Sequence, residues 1–146
     1  MKKTLCLILA AAFILGGCSK KTETMVCNYT LGSNSAKNTI ESEGDNVLSQ
    51  KITQKRDVSN LGMSEDQLND AIDKAKDLYD IDGVKYSAKL NKNLLTETIE
   101  IDFEKADLDE LNKASLISVP TGEDKVDYIS LKTSKESLES AGYKCK

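Results

Sequence analysis

The sequence contains no histidine and no tryptophan, and aromatic residues make up only 5% of it. Without histidine, no Ser-His or Cys-His catalytic dyad can form within the chain. Cys27 and Cys145, the two cysteines outside the N-terminal segment, would supply only half of the ligands of a tetrahedral zinc site. No glycine-rich loop has the spacing that binds phosphates. The chain therefore lacks the signatures of the common nucleophilic, zinc-dependent and nucleotide-binding proteins.

The chain is acidic, with 24 Asp and Glu against 20 Lys and Arg, which gives a net charge of −4. Residues 1–17 hold two of the lysines and no acid, so their removal would leave −6. An acidic chain poor in aromatic residues has neither the basic patch nor the stacking platforms of a nucleic-acid-binding protein. We therefore expect no nucleic-acid partner.

The first seventeen residues have the organisation of an export signal. Met1 is followed by two lysines and then, at 5–15, by an unbroken apolar run. As a helix this run would reach only ~16 Å, whereas the hydrocarbon core of a bilayer is ~30 Å thick. It therefore suits a secretory signal and is too short for a permanent transmembrane helix.

The end of this segment, Leu15-Gly16-Gly17-Cys18, resembles the bacterial lipobox. The resemblance implies cleavage between Gly17 and Cys18 and a diacylglyceryl thioether on Cys18, and two acyl chains are what stable anchoring requires. The alternative is an ordinary secretory signal with an incidental cysteine, which Leu15 fits poorly because the ordinary peptidase favours small residues. We expect a signal peptide at 1–17, a lipidated tether at 18–24 and a single α+β domain at 25–146, held at the cell membrane on the exported side.

Cys27 and Cys145 remain once Cys6 leaves with the signal and Cys18 is lipidated. Two thiols in one exported domain usually pair in an oxidising compartment. We therefore predict a Cys27–Cys145 disulfide that closes nearly the whole domain; the alternative is two unpaired cysteines. A role in thiol exchange is disfavoured because the two residues lack the Cys-X-X-Cys spacing.

Alternation of apolar and polar residues predicts about five strands. The first begins at Met25, the next two flank a turn at Gly44-Asp45-Asn46, and the last two follow Gly83 and Asn93. Glu97 interrupts the apolar face of the fifth strand, which suggests that this end of the strand is exposed. A weaker extended segment covers 126–130.

Helical periodicity is strongest from Glu65 to about Tyr79, where Ser64 and Gln67 form a capping box. Shorter helices are predicted after the caps Asp107 and Thr133. Consecutive hairpins favour antiparallel pairing. The sequence therefore predicts an α+β fold in which an antiparallel sheet of about five strands has helices packed on one face, in the order βββ-α-ββ-α-(β)-α.

Four acidic residues near the end of the fifth strand are weak candidates for a metal site: Asp102, Glu104, Asp107 and Asp109. They could hold a divalent cation around one turn. The alternative, a solvated acidic edge with helix-capping acids, is favoured, and no pair of acids is singled out as hydrolytic. We assign no catalytic residue, no metal and no cofactor beyond the diacylglycerol lipid on Cys18.

The lipobox, a first strand just after a short polar tether, the segment 99–111 and the ending 137–144 resemble the YehR-like family of small bacterial lipoproteins. The resemblance implies an α+β fold and brings no catalytic residues. It does not imply the disulfide, which is not expected of every member.

These observations favour a non-enzymatic domain, anchored to the membrane bilayer, that binds a ligand or protein partner at the cell envelope. The basis is an export and anchoring signal without a catalytic constellation. Two alternatives are an enzyme that uses carboxylates, with or without a divalent cation, and a structural or assembly component of an envelope complex.

Overall fold

The computed structural model describes residues 21–118 and 127–146 of the chain. Within these residues the fold consists of six strands, three α-helices and one 3-10 turn at Ser59–Leu61. The strands are β1 (Thr22–Leu31), β2 (Asn34–Glu43), β3 (Asn46–Asp57), β4 (Val84–Asn91), β5 (Leu94–Asp102) and β6 (Lys144–Cys145). The helices are α1 (Glu65–Leu78), α2 (Leu108–Lys113) and α3 (Leu131–Ser140).

The six strands form one antiparallel sheet in the order β4-β5-β3-β2-β1-β6. This confirms the predicted α+β class and corrects the predicted strand count by one. The missed strand, β6, has only two residues, which is too short for alternation to be visible in the sequence. It exists because Cys145 and Lys144 pair with Cys27 and Asn28 of β1.

One face of the sheet, which we call the covered face, is buried beneath α1 and α2. Leu68 and Ile72 of α1 pack against Leu95 of β5 in one apolar cluster. Leu111 of α2, which is 0% exposed, packs with Ile101 of β5 in a second cluster. Leu95 and Ile101 are an even number of residues apart on the same strand, so both helices lie on the same side of the sheet.

The helix α1 follows the sequence prediction closely. The Ser64 hydroxyl accepts a hydrogen bond from the Gln67 backbone N–H at 3.2 Å, and the Gln67 side chain accepts one from the Ser64 N–H at 2.9 Å. This is the predicted capping box. The helix ends at Leu78, one residue before the predicted end.

Three boundaries differ from the predictions. The strand β1 begins at Thr22, inside the predicted tether 18–24. Within the predicted extended segment 126–130, Val126 lies outside the described residues, and Ser130 makes only an isolated bridge to Asn46. The hydroxyl of Ser130 caps α3 by accepting from the Thr133 N–H at 3.2 Å, so Thr133 is inside the helix rather than its cap.

The start of α3 is also held by a carboxylate that is distant in sequence. Asp45, in the turn between β2 and β3, accepts hydrogen bonds from the Lys132 backbone N–H and the Ser130 hydroxyl, each at 2.8 Å. These bonds, the Lys132 N–H first, hold the pKa of Asp45 below its ordinary value of 3.8. Asp45 therefore acts as a second N-terminal cap, supplied by the sheet.

Replacing Asp45 by Asn should destabilise the protein at neutral pH but not in acid. Because folding lowers the pKa of Asp45, its stabilisation is fully present above about pH 4 and is lost as the pH falls through the lowered value. Denaturant unfolding of wild type and Asp45→Asn across this pH range measures the difference. Glu136→Gln, on the exposed side of α3, is the control. A difference between wild type and Asp45→Asn that stayed constant into acid would contradict this role.

Candidate functional site

The predicted lipidation and cleavage residues, Cys18 and Gly17, lie outside the described residues. The strand β1 begins four residues after Cys18, and four extended residues span at most ~14 Å. We call the end of the sheet that contains Thr22 the anchor end, and the opposite end, where β1 finishes at Leu31, the far end. Among the residues that the structure describes, no helix is long and apolar enough to cross a membrane.

The structure joins Cys27 and Cys145 in a disulfide between β1 and β6, with their Cα atoms 3.9 Å apart. Cys27 is 0% exposed on the covered face of the sheet. Next to it, the Tyr143 ring lies 5.4 Å from the ring of Tyr29, centre to centre. The bridge therefore fastens the chain end that follows α3 to the first strand, and its burial suits a structural role.

The four acidic metal candidates do not converge on one point. The Asp102 carboxylate contacts the Lys105 ammonium at 2.6 Å and accepts from the Glu104 N–H, and its pKa is lowered chiefly by Lys105. The Asp107 carboxylate caps α2 by accepting from the N–H groups of Asp109 and Glu110. Across residues 21–118 and 127–146, no group of three metal-ligating side chains is arranged to hold an ion.

A polar groove of about 680 Å³ lies at the anchor end, partly on the open face of the sheet. Some of its charged side chains pair with one another. Lys51 contacts Glu100 at 2.6 Å, Asp102 pairs with Lys105, and the Ser49 hydroxyl donates to Glu41 at 3.1 Å. Asp80, Asp82 and Lys85 also line the groove and take part in none of the ion pairs among the described residues.

A different cavity, of about 440 Å³, lies at the far end between α1 and the covered face of the sheet; we call it the far-end cavity. Most of its lining is apolar: Val58, Leu61, Met63, Leu68, Ile72 and Leu95. Leu61 and Met63, on the segment before α1, are 60% and 40% exposed at its rim. Its volume and apolar walls are typical of ligand-binding pockets.

Three charged residues also line the far-end cavity: Arg56 and Glu97, which form an ion pair, and Asp57, whose carboxylate accepts a hydrogen bond from the Ser59 N–H at 2.9 Å. The Glu97 side chain is only 16% exposed and also accepts a hydrogen bond from the Tyr86 hydroxyl at 2.8 Å. Burial, followed by the Glu97 contact, raises the pKa of Tyr86, so this hydroxyl stays protonated as a donor. The Arg56 side chain is 54% exposed and can meet a second anion.

Sequence reasoning did not find this cavity. It placed Glu97 at an exposed strand end, whereas the structure places it mid-strand on the covered face, paired with Arg56 of β3. The one available signal was the acidic residue itself, because a carboxylate on an apolar strand face requires a partner. Arg56 could not be named, since the β3–β5 register was not derivable.

Comparison with known proteins places the chain among small lipoproteins. A family model described as "Protein of unknown function (DUF1307)" matches residues 22–144. The chain is 30% identical over 141 residues to the uncharacterized lipoprotein Lmo0207 of Listeria monocytogenes, covering 94% of this chain and 90% of that protein.

Two structures solved by NMR share the fold. The Escherichia coli YehR protein matches with a TM-score of 0.70 and 23% identity, covering 87% of this chain and 92% of that one. A protein from Streptococcus pneumoniae TIGR4 matches with a TM-score of 0.59 and 17% identity, covering 100% and 98%. At these identities the likeness concerns the fold alone.

Proposed function

Since this chain belongs to the family described as protein of unknown function (DUF1307), as its YehR-like pattern predicted, we propose that it is an envelope lipoprotein whose domain binds an apolar ligand or partner group in the far-end cavity. The lipoprotein relative supports membrane anchoring. The lipobox at 15–18 supports a diacylglyceryl anchor on Cys18 and a position on the exported side of the cell membrane.

The far-end cavity is the observation that carries the binding proposal. Apolar walls from α1 and the sheet would take up an apolar body and remove its surface from water. The half-exposed guanidinium of Arg56 would meet an anionic group at the rim, because its contact with Glu97 uses only one of its nitrogens. The ligand class is therefore an apolar group with an anionic end.

The alternative of a cation-dependent enzyme receives less support from the same geometry. Asp102 is engaged by Lys105 and Asp107 by the first turn of α2, so a cation would have to displace contacts within the chain. In an assembly role, a segment of another protein would occupy the far-end cavity in place of a small ligand. The binding experiment below separates the two, since a small amphiphile is sufficient only in the first case.

Decanoate and decyltrimethylammonium make a matched pair of probes, since they share an alkyl chain and differ in the charge of the head group. We expect the protein to bind decanoate more tightly, and Arg56→Gln to weaken decanoate binding about tenfold, equivalent to ~1.4 kcal/mol. Ala71→Trp, at the cavity lining, should block both probes. Titration calorimetry below the micellar concentration measures each affinity.

Lys74→Trp places the same indole side chain on α1 away from the cavity lining and is the control for Ala71→Trp. Melting temperatures of all variants would show whether a loss of binding reflects unfolding. Equal affinity for the two probes would refute the role of Arg56. Unchanged binding in Ala71→Trp would refute the cavity as the site.

A further inference from the structure

The face of the sheet opposite the helices, which we call the open face, changes charge along the strands. Strand pairing sets its side chains in rows that run across the sheet. The row nearest the anchor end contains Glu43, and the second contains Glu41 and Asp102. The third contains Glu100 with Lys51 and Lys85. The next two rows toward the far end contain no acidic residue at the positions that the strand pairing defines.

Those two rows contain lysines separated by hydroxyl and amide side chains. The first is Lys144, Asn28, Lys37, Thr53, Thr98 and Ser87. The second is Thr30, Ser35, Lys55, Thr96 and Lys89. We call this surface the lysine face. No position in either row is apolar or aromatic, although the chain as a whole has a net charge of −4.

The four lysines of these rows, Lys37, Lys55, Lys89 and Lys144, are all exposed. Within the described residues, none of them takes part in an ion pair. Lys51, one row closer to the anchor end, is paired with Glu100 at 2.6 Å. The positive charge of the lysine face is therefore not neutralised by neighbouring side chains.

Neighbouring strands lie ~4.8 Å apart, so lysines two strands apart, such as Lys55 and Lys89, are separated by ~10 Å. The hydroxyls between them can donate hydrogen bonds to anionic oxygens. This pattern fits an extended chain of repeated negative charges better than a single compact anion. The absence of aromatic side chains removes the stacking that bases would require.

We propose that the lysine face binds a linear phosphodiester polymer without bases. Phosphate oxygens accept hydrogen bonds from both ammonium and hydroxyl donors. Each phosphate also carries a negative charge, which would neutralise a lysine that has no acidic partner within the protein. A bilayer is a poorer fit, because the rows offer no apolar side chain for insertion and the acidic row lies at the anchor end. This surface is on the opposite side of the sheet from the far-end cavity, so the two proposals fail independently.

The test compares two variants of equal net charge. In the first, each lysine of the lysine face is changed to Gln. In the second, four helix lysines are changed to Gln: Lys74, Lys113, Lys132 and Lys135. Binding of fluorescent poly(glycerol phosphate) to the full chain in phosphatidylcholine nanodiscs is measured by anisotropy at low and high salt. We expect the first variant to lose about tenfold in affinity at low salt and the second less than about twofold.

Equal losses in the two variants would overturn the proposal, since net charge alone would then explain the binding. Failure of the wild type to bind the polymer at low salt would also overturn it. Amine-reactive labelling tests the alternative that the lysine face binds a lipid bilayer instead of the polymer. The four lysines should label equally fast in phosphatidylcholine nanodiscs and in nanodiscs that contain phosphatidylglycerol. Their protection in the anionic nanodiscs would assign the face to the membrane and refute polymer binding.

Discussion

Reduction of the Cys27–Cys145 disulfide should lower the free energy of unfolding by about 2–5 kcal/mol. The bond joins residues 118 positions apart, so it removes a large loop entropy from the unfolded chain. It also fastens β6, whose only two residues pair at this point of β1. We expect the melting temperature to fall by roughly 10 °C. Thermal unfolding followed by circular dichroism, with and without reductant, measures the change.

The double variant Cys27→Ala/Cys145→Ala separates the bond from other effects of the reductant. It should melt near the reduced wild type and should not respond to reductant. Alkylation gives a second readout, because the wild type should gain labels on both cysteines only after reduction. Labelling of both thiols in the folded, unreduced protein would rule out the bridge.

Among the glycines that the structure describes, Gly83→Ala is expected to be the most damaging substitution, at about 3 kcal/mol or more. Gly83 has a φ of +78°, and a Cβ there would lie 2.8 Å from the Asp102 carbonyl oxygen and 2.8 Å from the Ala106 nitrogen. Its own carbonyl accepts a hydrogen bond from the Asp102 N–H at 2.8 Å. The residue before β4 therefore lies directly against the turn after β5. Only a movement of the backbone there could make room for an added methyl group.

Gly62→Ala is the matched control, because Gly62 has a similar φ of +64° but no atom within 4 Å of a Cβ. It should cost only the strain of the left-handed conformation, about 1–2 kcal/mol. Denaturant unfolding of the two variants measures the contrast. Equal losses would show that conformation alone, and not the close approach to Asp102 and Ala106, explains the need for Gly83.

Elements that depend on neighbouring residues were predictable. The helix α1 was found with its capping box because Ser64 and Gln67 are three residues apart and its apolar stripe repeats along one face. The turn at Gly44-Asp45-Asn46 was found because short hairpins carry their own residue types. The strand β6 was missed because pairing with β1, rather than its own two residues, makes it a strand.

The candidate sites depended on strand register, which the sequence did not provide. The partner of Glu97 became known only when β3 and β5 were placed side by side, which brings Arg56 to the same cavity. The lysine face likewise unites residues from β2, β3, β4 and β6 that are remote in sequence. No single strand shows either feature by itself.

By itself, the sequence determined the α+β class, the α1 helix and the likeness to small lipoproteins, because periodicity and short motifs are local properties. The export signal and the lipid anchor on Cys18 stay predictions. The tertiary structure decided which surfaces form: an apolar cavity with a half-exposed ion pair on one side of the sheet, and two rows with unpaired lysines on the other. The physical reason is that burial and charge neutralisation depend on which strands become neighbours, and long-range pairing makes that choice.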